Sequence, residues 1–180
     1  MKQLIIRKLI VDEYNELFDA QGMKYVEFDS DYSKIRQYCS IILKECPEKF
    51  KEGNLLEQQL SEIVKNGIKH GNGCNPKKIL KVWYDLRKRA RFIIEDEGEG
   101  FTCLDAWNDF FRQRQEALYH EDFDRFLNLA NFRGPHSDDD DGGNSLIAAL
   151  EFWNGGMIYN EVKNKIGVVR WFPGGSGPGR

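Results

Sequence analysis

The 180-residue chain has no apolar run approaching the roughly 18 residues that a membrane span requires. Its opening stretch, MKQLIIRKLIVDEYNEL, carries charges inside the apolar run and lacks a small-residue cleavage site, which argues against a secretory signal. Nor is there an excess of positive charge. The formal net charge is -3, whereas dedicated nucleic-acid binders are normally basic. Cys39, Cys46, Cys74 and Cys103 form no CxxC pair and no metal-ligand spacing. Cys39 and Cys46 fall on one face of an expected helix, about 10 Å apart and too far to bridge. They read as core thiols of a reducing, cytoplasmic compartment. His70, His120 and His136 are too scattered to build a metal site. Walker A loop, GxGxxG and nucleophile elbow are all missing, and no internal repeat is visible. The acidic run Asp138 to Asp141 is not an EF-hand, because counting back from Gly142 puts Ser137 and Ala148 at the first and last ligand positions.

What is present is 41% hydrophobic content, enough for one globular domain with a core. Gln3 to Val11 reads as a strand and Asp12 to Ala20 as a short helix ended by Gly22. Lys24 to Phe28 alternates as a second strand. Ser30, Asp31 and Ser33 offer caps for a helix with Ile35, Tyr38, Cys39, Ile42, Leu43 and Cys46 on one face, stopped by Pro47. A second helix covers about Asn54 to His70, with Leu56, Leu60, Ile63, Val64 and Gly67 as its apolar stripe. Glu62, Asn66 and His70 form a polar row along the edge of that stripe. GNGCNP then ends the helix.

Ile79 to Asp85 and Ala90 to Asp96 form a hairpin. Residues 102–133 read as helical, with Trp107, Phe110, Phe111, Phe123, Phe126, Leu127 and Phe132 as apolar points. Gly134 to Gly143 is a loop, Asn144 to Trp153 a helix, and GMIYNEV, NK and IGVVRWF a closing hairpin. The tail from Gly174 is flexible by composition. Strands in hairpins, with helices that do not alternate one by one, predict an α+β fold. The expected architecture is a two-layer α/β sandwich whose mixed, mostly antiparallel sheet carries helices on one face.

Three stretches carry chemistry. Glu62 and Asn66, at i and i+4, project towards one spot. An amide oxygen there suits Mg²⁺ otherwise held by water and phosphates, and a carboxylate beside it could act as a general base. The same two residues also make an ordinary solvated pair. In Asp96-Glu97-Gly98-Glu99-Gly100-Phe101, a carboxylate at a strand end can accept a bond from an exocyclic amine such as that of adenine. The glycines after it let a flat base or a phosphate approach the backbone. A plain acidic turn is the alternative. Gly142-Gly143 ahead of a helix can present free N–H groups to phosphates, or form a loop with solvated charges.

Taken in this order, the three stretches resemble the motifs of the GHKL, or Bergerat-fold, ATPase superfamily. The closest likeness is to anti-sigma-factor serine kinases and histidine-kinase-like ATPase domains. Glu62-x-x-x-Asn66-Gly-Ile-Lys-His70-Gly-Asn72 resembles the N box, Asp96-x-Gly98-x-Gly100-Phe101 the G1 box, and Gly142-Gly143-Asn144-Ser145-Leu146 stands in the place of the G2 box. The resemblance implies an ATP-binding domain over 24–173, an N-terminal extension over 1–23, a helical lid or insertion at about 102–141 and a flexible tail over 174–180. It implies Glu62 as general base, Asn66 as Mg²⁺ ligand and His70 as a phosphate-side residue. Asp96 would hold the adenine amino group, Gly98 and Gly100 would shape the base pocket, and Gly142 and Gly143 would meet the phosphates. ATP and Mg²⁺ are the implied cofactors. The implied partner is an anti-anti-sigma or sigma-like protein, with no direct role for nucleic acid or membrane and a homodimer left open. Three departures are Ser145, where a glycine is expected, Gly67, in place of the usual alanine, and a segment between Phe101 and Gly142 that is longer and more aromatic than the lid of the small kinases. The aromatic segment 102–133 is either a partner-binding insertion or a helical hairpin with its own minor core.

Overall fold

The computed structural model describes residues 4–50, 54–132 and 145–172. It divides into a sheet unit, Ile10–Phe101 with Phe152–Arg180, and a helical unit, Met1–Leu9 with Thr102–Glu151.

The sheet unit is built on six strands: β1 (Ile10–Val11), β2 (Lys24–Asp29), β3 (Ile79–Asp85), β4 (Ala90–Glu95), β5 (Gly156–Tyr159) and β6 (Lys165–Arg170). Their order is β1-β5-β6-β4-β3-β2, antiparallel throughout except for the parallel β1–β5 pair. This is the expected α+β two-layer sandwich with a mixed, mostly antiparallel sheet. Strand parity decides its faces. Leu80 and Val82 of β3, Phe92 and Ile94 of β4, and Ile166 and Val168 of β6 are buried on the face that meets the helices.

Two helices of this unit supply the second layer, α1 (Ile35–Ile42) and α2 (Leu55–Asn66). Helix α1 buries Ile35, Tyr38, Cys39 and Ile42, and Tyr38 stacks on Phe28 of β2 at 4.3 Å between ring centroids. Helix α2 buries Leu56, Leu60, Ile63 and Val64, the stripe its periodicity predicts. Leu43 and Cys46 lie beyond the end of α1, which stops a turn short of Pro47. Ser30 is not a cap. Asp31 caps instead, accepting from the Ser33 N–H at 2.9 Å, and the turn it starts is a 3-10 turn over Tyr32–Lys34 that leads into α1. All four cysteines are free thiols, and Cys39 and Cys46 are buried as expected.

The other face of the sheet is partly covered by residues 15–19. The buried guanidinium of Arg91 on β4 donates to the carbonyls of Glu16 (3.0 Å), Leu17 (3.1 Å) and Asp19. The expected helix over Asp12 to Ala20 is a 3-10 turn over Glu16–Phe18, pinned to the sheet by that arginine. Residues 10–22 belong to the sheet unit.

The helical unit contains α3 (Leu104–Tyr119), α4 (Phe123–Asn128) and most of α5 (Ser145–Phe152). The strand expected over Gln3 to Val11 is reduced to Ile10–Val11. Upstream, side-chain amides on α3 take the backbone bonds a ladder would have used. Asn108 accepts from Leu9 N–H (2.8 Å) and donates to Leu9 C=O (3.0 Å). Gln115, two turns on, does the same with Arg7, at 2.8 and 2.9 Å. Asn108→Leu leaves both Leu9 groups unpaired, so we expect a loss of about 1–3 kcal/mol in urea unfolding and faster exchange of the Leu9 amide. Unchanged exchange would refute the clamp.

Trp107 and Phe111 are buried in this unit, with ring centroids 5.0 Å apart, but α4 buries nothing. Phe123 and Leu127 are 60% and 68% exposed, so these two expected apolar points are surface residues. Among the described residues, no helix is long and apolar enough to cross a membrane.

Candidate functional site

Strand parity carries past the end of β4: Ala90, Phe92, Ile94 and Asp96 all point to the helix-covered face. Asp96 thus sends a carboxylate into an apolar layer, where a larger neighbour would collide with it. Gly67 and Gly71 remove that collision. Both continue the core stripe of α2. A Cβ on Gly71 would lie 2.2 Å from the Asp96 carboxyl carbon, and one on Gly67 would lie 2.6 Å from Leu80. Gly67 in place of alanine is therefore fitted to Leu80.

The helix also changes form here. Residues Gly67–Gly71 make a π-turn in which the Asn72 N–H reaches the Gly67 carbonyl at 2.8 Å. Single π-turns of this kind gather at functional sites, because they re-aim a helix terminus.

The turn after β4 closes on Asp96. Gly98 N–H donates to Asp96 Oδ1 at 2.8 Å, and a Cβ on Gly98 would sit 2.2 Å from the Gly71 carbonyl oxygen. The second carboxylate oxygen has no hydrogen-bond donor among the described residues. Burial pushes the Asp96 carboxyl up to about 6, and the Gly98 N–H and the charge of Lys78 only partly oppose it.

Three asparagine and loop contacts fix this turn. Asn72 is buried; its amide donates to Ser30 Oγ (2.8 Å) and the Ile79 carbonyl (3.1 Å), and accepts from Glu97 N–H (2.7 Å). It ties the end of α2, the start of β3 and the glycine turn together. Asn164 donates to the Asp96 carbonyl at 2.9 Å and accepts the Asp96 N–H at 2.9 Å through its own carbonyl. The Lys163 carbonyl takes the Phe101 N–H at 3.0 Å. The closing hairpin consequently turns earlier than the sequence suggests. Asn160 to Asn164 form its loop, with Asn160 Oδ1 accepting from Lys165 N–H at 3.0 Å.

The predicted residues divide as follows. Asp96, Gly98 and Gly100 share one turn, and Gly98 and Asp96 meet the glycine row of α2. Glu62 and Asn66 are half-buried on one flank of α2, with no hydrogen bond or ion pair to another described residue. His70 is exposed on the π-turn. Gly142 and Gly143 lie outside the described residues. No cluster of three His, Cys, Asp or Glu side chains that could hold a metal occurs among the described residues. An uncommitted amide and carboxylate suit Mg²⁺ that keeps most of its shell as water and phosphate.

Sequence reasoning gave no role to Asn72 or Asn164. Both stand in turn-type segments, GNGCNP and NEVKN, and Asn72 also closes the stretch that resembles the N box. Two cavities open on the side of α1 and α2, and neither includes a predicted site residue. One, of about 320 Å³, is lined by Ser40, Leu43, Lys44, Cys46, Asn54, Leu56 and Glu57. The other, of about 260 Å³, is lined by Tyr32, Ser33, Ile35, Arg36, Ser61 and Lys65.

Fold and site together define a two-layer α+β protein with a part-buried, half-satisfied carboxylate at a strand end. No protein-family model matches the chain, and no curated protein matches it.

Proposed function

We propose that the protein is a cytoplasmic Mg-ATP-binding regulator of the GHKL kind, acting as a serine kinase on a partner of the anti-anti-sigma or sigma-like type. One observation carries the proposal: Asp96 keeps a carboxylate in an apolar layer, with one oxygen free of protein donors. A part-buried carboxylate with an unused acceptor is suited to recognition of an exocyclic amine. Gly98 and Gly100 would frame the base beside it, and Asn66 would hold Mg²⁺, with His70, Gly142 and Gly143 on the phosphate side. The metal, when bound, would neutralise phosphate charge.

Transfer would break the bond between the γ-phosphorus and the β–γ bridging oxygen and form one to the serine oxygen. Glu62 would take the serine proton. Calorimetry tests the pocket first. Micromolar Mg-ATP binding, about -8 kcal/mol, is expected for the wild type, with a clear loss in Asn66→Ala. Glu62→Ala should retain that binding and lose transfer to the partner serine; unchanged transfer would remove Glu62 from the chemistry.

A second reading is a binding module without turnover, acting by partner contact alone. It is favoured by Ser145 at the third motif. Absence of nucleotide binding at millimolar concentration would select it, and robust phosphotransfer would exclude it.

A further inference from the structure

The smaller cavity lies along the Ser61 and Lys65 flank of α2. At about 100° per residue, Ser61 and Lys65 lie to one side of the core stripe and Glu62, Asn66 and His70 to the other, with Glu62 and Lys65 adjacent at i, i+3. Arg36 reaches the same cavity from the first turn of α1, and Tyr32 comes from the 3-10 turn before it.

Two cationic residues thus line one cavity from separate elements. Neither Arg36 nor Lys65 has an ion-pair partner among the described residues. Of the acids on the neighbouring elements, Asp29 and Asp31 are already engaged. Asp29 is held by Lys34 at 2.8 Å and by the Tyr38 hydroxyl. Asp31 is held by Lys34 at 3.3 Å and by Ser33, whose hydroxyl donates to it at 2.6 Å. Glu57, one turn before Ser61, lines the other cavity. The first turn of α1 has no side-chain cap of its own.

We propose that this groove binds a phosphate monoester carried on a side chain of a partner protein, a phosphoserine in the simplest case. The charge balance selects it. A carboxylate would leave one of the two cations unmatched, whereas a phosphate monoester carries about -1.5 to -2 at neutral pH and three acceptor oxygens. Arg36 offers a planar fork and Lys65 a movable point charge, a pair suited to a tetrahedral oxyanion. The Tyr32 hydroxyl, which has no hydrogen-bond partner among the described residues, can add a donor. The cavity, about 260 Å³, is roughly eight water volumes and so admits a phosphate together with the side chain that bears it. The inference does not depend on the nucleotide site.

The test is an amide NMR titration of the full chain with N-acetylphosphoserine amide. Saturable shifts at residues 33–37 and 61–65 are expected, with a midpoint of about 1–10 mM. R36Q and K65Q should each raise that midpoint at least ~10-fold while keeping a folded spectrum, and N-acetylserine amide should cause no shift. Asp96→Asn should leave the shifts as they are. A wild-type midpoint in both charge variants, or no saturation, would overturn the proposal. Inorganic phosphate binding as tightly as the monoester would overturn the side-chain occupant and leave a free-phosphate site.

Discussion

Asp96→Asn should make the protein more stable at neutral pH while it loses nucleotide. The carboxyl titrates at about 6 in the folded chain against an ordinary 3.8, with burial as the main cause. Its folded pKa is raised, so its contribution to stability is complete below about pH 4 and is lost as pH rises through about 6. At about 1.4 kcal/mol for each tenfold change in proton affinity, the difference sets an upper bound of about 3 kcal/mol. Partial access to solvent reduces the expected gain at pH 7 to about 1–2 kcal/mol.

The neutral amide keeps an oxygen for the Gly98 N–H and removes the part-buried charge. Urea unfolding at pH 7 and pH 4 checks this. The variant should exceed the wild type at pH 7 and converge with it near pH 4. Adenine nucleotide affinity should fall by roughly 10- to 100-fold, the worth of a hydrogen bond to a charged acceptor. A variant that is less stable at pH 7 would mean that the carboxylate is structural. One that binds Mg-ATP as tightly as the wild type would remove Asp96 from the base pocket.

Much of this site is legible from the sequence because two short-range periodicities converge on it. The alternation of β4 runs through Ala90, Phe92 and Ile94 to Asp96, and the α2 stripe runs through Leu60, Val64 and Gly67 towards Gly71. Neither pattern needs knowledge beyond a few residues on each side. The elements that escaped are those whose partners lie far along the chain. Arg7 and Leu9 look like strand residues, but their backbone groups are satisfied by Gln115 and Asn108, about a hundred positions away. Asn72 looks like a turn residue, yet it is buried between Ser30, Ile79 and Glu97. Phe123 and Leu127 have the apolar character of core points, and only tertiary placement leaves them at the surface. Composition cannot carry that information.

The second large effect falls on the glycine turn. Gly100 has φ +86, and a Cβ there would lie 1.9 Å from the Val162 carbonyl oxygen. Gly73 has a comparable backbone, φ +63, but nothing within 4 Å of the added atom. Substituting alanine at Gly73 should therefore cost only the left-handed backbone, about 1 kcal/mol. Gly100→Ala adds a collision with backbone that has no rotamer to escape through, so about 3 kcal/mol or more is expected.

The contrast between the two variants isolates the collision, because both lose the same conformational freedom. Its consequence should reach beyond stability. The Phe101–Lys163 and Asp96–Asn164 backbone pairings both depend on that approach. A chain forced apart at Gly100 should release the loop that holds Asp96 and weaken Mg-ATP binding along with the fold. Equal costs at Gly73 and Gly100 in denaturant would show that the 160–164 loop yields freely. The turn would then be soft, and the position of Asp96 would rest on the glycine row of α2 and Asn72 instead.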